Sequence, residues 1–370
     1  MMMATDQHQQ HAPSIEQFRV TTDVLKNLRL ARVMREPVSH SLQGSAQRNQ
    51  PLNSIDFHNE EMLLVTADDG DTLSMYDIGE GKKRFKLVSK KYGLRNVTFT
   101  KSSHHVLHSS KKGPDRGEGT IRYWSLNSNT YVRYFPGHEA EVTSLCVAPG
   151  SDGTFMSAGA DKKMFVWDLR KKGAAAVLPS AGSVPYAQYD NQGLVAAIAT
   201  NDAVRLFDVR YWDKGPFIKF NVASDGSRCS CLRFSNDGGK LLSVNGHEIR
   251  VLDAIVGTQL YKMKNECKNG ENPEACFDPS SKFVLSGCAD GNVRIWSAPG
   301  GSGSDTCGTG ENVTTLTAPT TSMSKLPVPH TSVPRVLKWA PTCLLVASAY
   351  DELNLWIPDV SALTSQIRQE

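Results

Sequence analysis

The sequence predicts an all-β fold, a closed ring of seven four-stranded antiparallel sheets forming a β-propeller. Three observations predict it. A short apolar strand ending in an aromatic or large apolar residue, usually followed by Asp or Ser, recurs seven times, with Tyr76, Trp124, Trp167, Phe207, Leu252, Trp296 and Trp356 as its markers. Neighbouring markers lie 48, 43, 40, 45, 44 and 60 residues apart, and five of these gaps lie near the roughly 40–45 residues that a four-stranded blade occupies. The third observation concerns closure. After Trp356 too few residues precede the polar end Ser361–Glu370 for another strand, while Leu25–Met34 (LKNLRLARVM), ahead of the first blade, reads as a strand with no partner. An open sheet edge invites pairing with other chains, so Leu25–Met34 is expected to complete the seventh blade and join the two ends of the chain.

At 370 residues the chain could hold two or three domains. Seven blades of roughly 45 residues account for about 315 of them, so one propeller suffices. The expected organisation is a disordered polar tail over 1–23, the propeller over 24–360 and a polar tail over 361–370, with an expanded loop over 298–331 between blades 6 and 7. A strand at Asn312–Leu316 falls inside that loop. Composition agrees: 39% hydrophobic residues supply a large core and exclude wholesale disorder. A net charge of +3, from 41 basic and 38 acidic residues, is too balanced for a surface given over to nucleic acid. The longest apolar stretches are strand-sized, which excludes a transmembrane helix, and the N-terminus carries no export signal. The eight cysteines form no Cys-x-x-Cys pair and sit mostly in apolar strands, as reduced core thiols do. Together these point to the cytosol or nucleus.

The third blade is the best formed. Gly137-His138 precedes it, and Ser157, Asp161 and Trp167 follow at the spacing of a WD40 polar network, in which Trp, Ser, His and Asp satisfy one another in a buried chain. The sixth blade keeps Ser286, Asp290 and Trp296 without an evident Gly-His. Elsewhere the network is worn: Leu252 replaces the aromatic and Asn201 the turn aspartate. The fold class is therefore a seven-bladed WD40 β-propeller closed by an N-terminal strand.

No catalytic motif stands out: no Gly-x-Ser-x-Gly, phosphate-binding loop or His-Glu-x-x-His is present, and no cofactor or metal site is expected. His104, His105 and His108 cluster in sequence, but adjacent residues on a strand face opposite ways. Two surface features carry more. Lys90, Lys91, Lys111, Lys112, Arg116, Lys162 and Lys163 fall in turns and links expected on the top face of the first three blades, near Tyr92, Tyr131 and Tyr134. Basic groups beside aromatics suit a phosphorylated peptide, while a solvated rim neutralised by neighbouring acids such as Glu139 and Asp161 explains them equally simply. The second feature is Asp-x-Arg on consecutive blades, ending in Arg170 and Arg210. It resembles the double motif of WD40 substrate receptors of cullin-4 ubiquitin ligases; the simpler reading pairs each arginine with its own aspartate.

Several strings resemble one family. They include Lys90-Lys91-Tyr92-Gly93, Thr120-Ile121-Arg122-Tyr123, Arg133-Tyr134-Phe135-Pro136-Gly137-His138, Asp213-Lys214-Gly215-Pro216-Phe217 and Leu355-Trp356-Ile357-Pro358. Their order and spacing are similar to those of the WD repeat-containing protein 82 family, relatives of the yeast Swd-two subunit, from about Val24 to Asp359. The resemblance implies a nuclear adaptor without enzymatic activity. It also implies partners: a COMPASS-type histone H3 lysine-4 methyltransferase, or a PNUTS-like subunit with protein phosphatase 1 in transcription termination, and the phosphorylated C-terminal tail of RNA polymerase II. Neither direct nucleic-acid nor membrane binding is expected. The N-terminal extension, the stretch Val38–Pro51 and the long loop depart from the family core.

Overall fold

Central strands of a propeller are covered on both faces by neighbouring blades, so they should be apolar throughout, whereas rim strands should alternate. The computed structural model follows that rule. It describes residues 20–34, 50–111, 119–180, 183–222, 227–264, 273–288, 291–298, 308–309, 312–316 and 334–361. Leu63–Asp68 and Thr72–Asp77 are buried almost end to end, while the rim strand Lys82–Val88 alternates between exposed and half-buried. Blade 1 comprises these three strands and Leu52–Phe57. Blade 2 is Arg95–Phe99, His105–Ser109, Ile121–Ser125 and Thr130–Phe135; blade 3 is Val142–Val147, Thr154–Gly159, Lys163–Asp168 and Ala174–Pro179. Blade 4 is Tyr186–Tyr189, Val195–Ala199, Ala203–Asp208 and Ile218–Asn221; blade 5 is Cys229–Phe234, Lys240–Asn245, Glu248–Asp253 and Gln259–Lys264. Blade 6 is Ala275–Phe277, Phe283–Gly287, Val293–Ser297 and Asn312–Leu316.

Blade 7 is built from both ends of the chain. Val336–Trp339, Val346–Ala349 and Leu353–Pro358 supply three strands, and Leu28–Met34 supplies the fourth, running antiparallel with Leu28 opposite Pro358 and Met34 opposite Leu353. The expected closing strand is thus present, but shorter than Leu25–Met34. Its first residues belong to a helical turn, Thr22–Lys26, where the Thr21 hydroxyl accepts from the Val24 N–H at 3.3 Å and the Asn27 side chain donates to the Asp23 carbonyl at 2.8 Å. Val20 and Leu25 are buried in one cluster with Phe283, Leu285, Leu337 and Trp356, so this end of the chain wedges blades 6 and 7 together. The ring therefore starts at least four residues earlier than expected, at Val20; residues 1–19 and 362–370 lie outside the described residues.

The strand expected inside the 298–331 loop, Asn312–Leu316, is present and forms the rim of blade 6. Gly308–Thr309 adds a pairing the sequence did not suggest, running parallel to Tyr261–Lys262 as a fifth strand of blade 5.

The marker residues have a structural meaning. In blades 1, 2, 3, 5, 6 and 7 the register between the third strand and the rim strand shifts by one residue at or beside the marker, for example between Val166 and Trp167 or at Trp356 opposite Leu30. Such a bulge increases the local twist. Blades are also stitched together near the axis: Asn53 donates to the Leu94 carbonyl at 3.1 Å, Asn96 to Val142 at 2.8 Å and Thr143 to Pro185 at 2.8 Å.

Removing residues 1–49 takes away the closing strand and its buried anchors Leu25 and Leu28. The midpoint of thermal unfolding followed by circular dichroism is expected to fall by about 10 °C or more, the size of shift that a loss of several kcal/mol produces. An unchanged melt would show that the ring does not depend on this closure.

Candidate functional site

Blade 3 assembles its four polar side chains as one chain of hydrogen bonds. The Trp167 indole N–H donates to Ser157 Oγ at 2.9 Å, and Ser157 lies 2.8 Å from His138 Nε2. His138 Nδ1 is 3.0 Å from the Asp161 carboxylate, which also accepts the Glu139 N–H at 3.1 Å. An indole can only donate, so Ser157 accepts from Trp167 and turns its own proton toward Nε2; the imidazole proton then sits on Nδ1, facing Asp161. Burial pushes the His138 pKa down, against the pull of Asp161. A Cβ on Gly159 would come within 2.4 Å of His138 Nδ1, so glycine is the residue that lets the imidazole approach this strand. In blade 6, Ser286 instead bonds the Glu274 carbonyl at 3.2 Å and Trp296 is buried; Asp290 lies outside the described residues. Blade 7 carries a pair that the motif search missed, the Trp356 indole donating to Ser348 Oγ at 2.8 Å.

Among the described members of the basic set, two are held by nearby acids. The Lys111 ammonium donates to the Asp69 carboxylate at 2.9 Å and to its carbonyl at 3.1 Å, and Lys163 pairs with Glu139 at 2.7 Å. Lys162 is exposed on a turn at φ 62°; Lys90 and Lys91 are exposed on the link between blades 1 and 2. Lys112 and Arg116 lie outside the described residues.

A residue outside that set organises the region. Arg122, only 3% exposed, lies under the Tyr92 ring at 3.6 Å and 5.4 Å from the centre of Tyr134. It donates to the Ser110 hydroxyl and to the Thr120 carbonyl at 3.3 Å, but its Nε has no partner, and among the described residues no carboxylate pairs with it. Burial lowers its pKa from the ordinary arginine value, against the opposing pull of Tyr131, Tyr92 and Tyr134. Lys91 stands 5.0 Å from the ring centre of Tyr92, and Tyr131 packs against Tyr92, Trp124 and Tyr134 at 5.3–5.8 Å. The product is a closed aromatic recess, in which Tyr92 lies over the buried guanidinium and an ammonium stands beside that ring. Such a cation, stripped of water, interacts strongly with an anion that can reach it.

Arg170 and Arg210 each fork onto their own aspartate, at 2.9 and 3.0 Å to Asp168 and at 2.9 and 2.6 Å to Asp208. These hydrogen bonds hold both carboxyls down at about 2. Both arginine side chains stay largely in solvent. Among the described residues no three His, Cys, Asp or Glu side chains are placed to share a metal. Cys229 and Cys231 are buried and bond to carbonyls, and burial pushes the Cys229 thiol up to about 12.

Known proteins share this architecture. The family described as WD domain, G-beta repeat matches residues 129–168 and 274–297, which cover parts of blades 2, 3 and 6. A solved structure of the mitotic checkpoint complex contains a chain that superposes with a TM-score of 0.66 at 16% identity, over 96% of this chain and 98% of that one; it shows the fold alone. The chain is 34% identical over 346 residues to WD repeat-containing protein 82 of Drosophila melanogaster, covering 92% of this chain and 98% of that protein. It belongs to the WD repeat-containing protein 82 family. A yeast relative, the COMPASS component SWD2 of Saccharomyces cerevisiae, is 34% identical over 261 residues, 66% of this chain and 76% of that one. In this family member the recess and the blade 3 network occupy neighbouring blades.

Two outcomes follow for stability. Ser157→Ala leaves the Trp167 indole and His138 Nε2 without their partner in the core, and urea unfolding is expected to show a loss of about 1–3 kcal/mol. The second concerns His108, wholly buried beside Trp124, whose pKa burial pushes down to about 3. The folded state holds it neutral while the unfolded chain protonates near its ordinary value of 6.5. Its contribution is therefore complete above that value and is lost as pH falls from about 6.5 toward 3, by about 1.4 kcal/mol per pH unit. His108→Phe is expected to flatten the slope of unfolding free energy against pH by about one proton in that window.

Proposed function

We propose that this chain is a non-catalytic scaffold subunit of a nuclear chromatin or transcription complex, docking a phosphorylated peptide at the blade 1–2 recess. Family membership supports the scaffold role, since a relative is named as a COMPASS component. The recess supports the ligand: Arg122 is a buried guanidinium with no carboxylate partner among the described residues, and Lys91 supplies a second cation at its lip. A phosphoserine brings close to two negative charges and three acceptor oxygens, matched to a planar guanidinium. Tyr92 covers Arg122 and must swing aside for a phosphate to reach it. The phosphorylated tail of RNA polymerase II is the ligand this reading names. The complex is either of the Set1/COMPASS kind or, the assembly we favour, a PNUTS-like subunit with protein phosphatase 1 in transcription termination.

A substrate receptor of a cullin-4 ubiquitin ligase is the second reading, supported by the exposure of Arg170 and Arg210 on consecutive blades. Against it, each guanidinium already spends its fork on Asp168 or Asp208.

Purification of the tagged chain from nuclear extract followed by mass spectrometry tests membership. A methyltransferase with its core subunits, a phosphatase with a PNUTS-like protein, or a cullin adaptor would each identify one assembly. Fluorescence polarisation with a serine-phosphorylated polymerase-tail peptide tests the recess. Lys91→Glu combined with Tyr92→Ala is expected to weaken binding about tenfold, equivalent to roughly 1.4 kcal/mol. Lys162→Glu with Lys163→Glu should change it little; the reverse ranking would move the site to blade 3.

A further inference from the structure

Tyr92 stands between two cations. The Lys91 ammonium lies 5.0 Å from its ring centre and acts on the phenol oxygen, while the Arg122 guanidinium lies under the ring at 3.6 Å. The polar contact with Lys91 above all, and then the charge of Arg122, draws the Tyr92 phenol below its ordinary pKa. Arg122 is the member with an unmet need: it is 3% exposed and its Nε has no partner. A buried guanidinium in that state favours an anion beside it.

The backbone holds the ring in this position. The Tyr92 and Gly93 N–H groups both donate to the Ser89 carbonyl, at 3.3 and 2.9 Å, and the Tyr92 carbonyl accepts the Lys111 N–H at 3.1 Å. Gly93 turns at φ 76°, where a Cβ would come within 2.7 Å of the Lys111 side chain, so glycine lets the link close this tightly. Tyr131 meets the Tyr92 ring edge-on at 5.7 Å and has its own hydroxyl 2.8 Å from Ser89 Oγ. The Tyr92 side chain as a whole is half-buried.

Other tyrosines lack this setting. Burial pushes the phenols of Tyr76, Tyr123, Tyr131, Tyr186 and Tyr189 up, the opposite direction. Tyr211 also lies beneath two cations, Lys214 at 3.9 Å and Arg210 at 5.5 Å, but Arg210 forks onto Asp208, and Asp213 stands on the same turn. At the blade 1–2 link, Asp69 is held by Lys111 and Asn53, and Asp71 lies beside Gly93. The charges acting on the Tyr92 phenol are those of Lys91 and Arg122.

We propose that Tyr92 is a phosphorylation site, and that a phosphoryl group on its oxygen is held by Lys91 and Arg122 of the same chain. A tyrosine kinase would transfer the γ-phosphoryl group of ATP. A P–O bond forms to the Tyr92 oxygen, the bond to the β-phosphate breaks, ADP leaves and the phenol proton is released. The product carries close to two negative charges and three acceptor oxygens, which an ammonium and a guanidinium match with charge-assisted hydrogen bonds. The consequence for the recess rests on the docking reading above: the ring stays clamped over Arg122, and a phosphopeptide no longer gains entry. Arg122 would then serve a phosphate of its own chain in one state and that of a partner in the other.

Three measurements on the full chain test it. Chain isolated from cells treated with pervanadate, which blocks tyrosine phosphatases, is expected to carry phosphate on Tyr92 when mapped by mass spectrometry. Phosphate confined to other tyrosines, or none at all, would overturn the proposal. Chain carrying phosphotyrosine at Tyr92, made by genetic-code expansion, is expected to titrate in phosphorus NMR about one pH unit below the ordinary second pKa of about 6. Lys91→Ala should return part of that shift, and a phosphate that titrates at its ordinary value would sink the clamp. The serine-phosphorylated polymerase-tail peptide should bind the modified chain about tenfold or more weakly than the unmodified one. Equal binding to both forms would refute the closed recess. Binding to neither would overturn the docking reading instead, while a phosphate mapped to Tyr92 with a lowered pKa would still uphold the site. Mapping uses the unaltered chain, so it decides even if the modified chain folds poorly.

Discussion

A propeller is a sheet assembly with no natural end, and its stability rests on how the last blade meets the first. Here the constraint is met by pairing Leu28–Met34 with Leu353–Pro358, so that blade 7 holds strands from both ends of the chain. Val20, Leu25 and Leu28 add apolar anchors between blades 6 and 7. Every interface around the ring then buries two faces, and the central strands of each blade can be apolar throughout. The seam is also where sequence distance is greatest, so its loop-closure entropy must be met by contacts that form together.

Within that ring, surface chemistry is distributed by position along each strand. Residues at strand ends serve turns and pairs, as Asp168 and Asp208 do with Arg170 and Arg210. Residues facing a neighbouring blade are drawn into stitches or networks, as with Asn53, Asn96 and the His138 chain. Arg122 escapes both fates, which is why its recess stands out.

Much of this was legible in the residues. Trp167, Ser157, His138 and Asp161 each have one part in a satisfied chain, and their spacing alone located it. Ser348 escaped notice because the hairpin of blade 7 is shorter, placing its serine eight residues before Trp356 rather than ten as in blade 3. The closing strand was readable as apolar sequence without a partner, but the turn Thr22–Lys26 was not, because its helicity comes from the Thr21 cap and the burial of Leu25. The partners of the basic residues were harder to read for a different reason. Lys111 and Lys163 are taken by Asp69 and Glu139, partners 42 and 24 residues away. Arg122 was overlooked because an arginine within an apolar strand reads as outward-facing; only tyrosines from the neighbouring link and rim strand bury it.

The seam has a geometric corollary. Leu28 stands opposite Pro358, and the Asp359 N–H donates to the Asn27 carbonyl at 2.8 Å, so the two chain directions enter and leave the ring at one corner. A short linker joining that corner, with new ends opened in a turn between other blades, would give a circular permutant with every strand pair retained. It would turn the non-covalent clasp into a covalent one. Any segments attached beyond either end of the ring would likewise share a single anchorage, and a partner gripping both would gain effective concentration from that proximity alone.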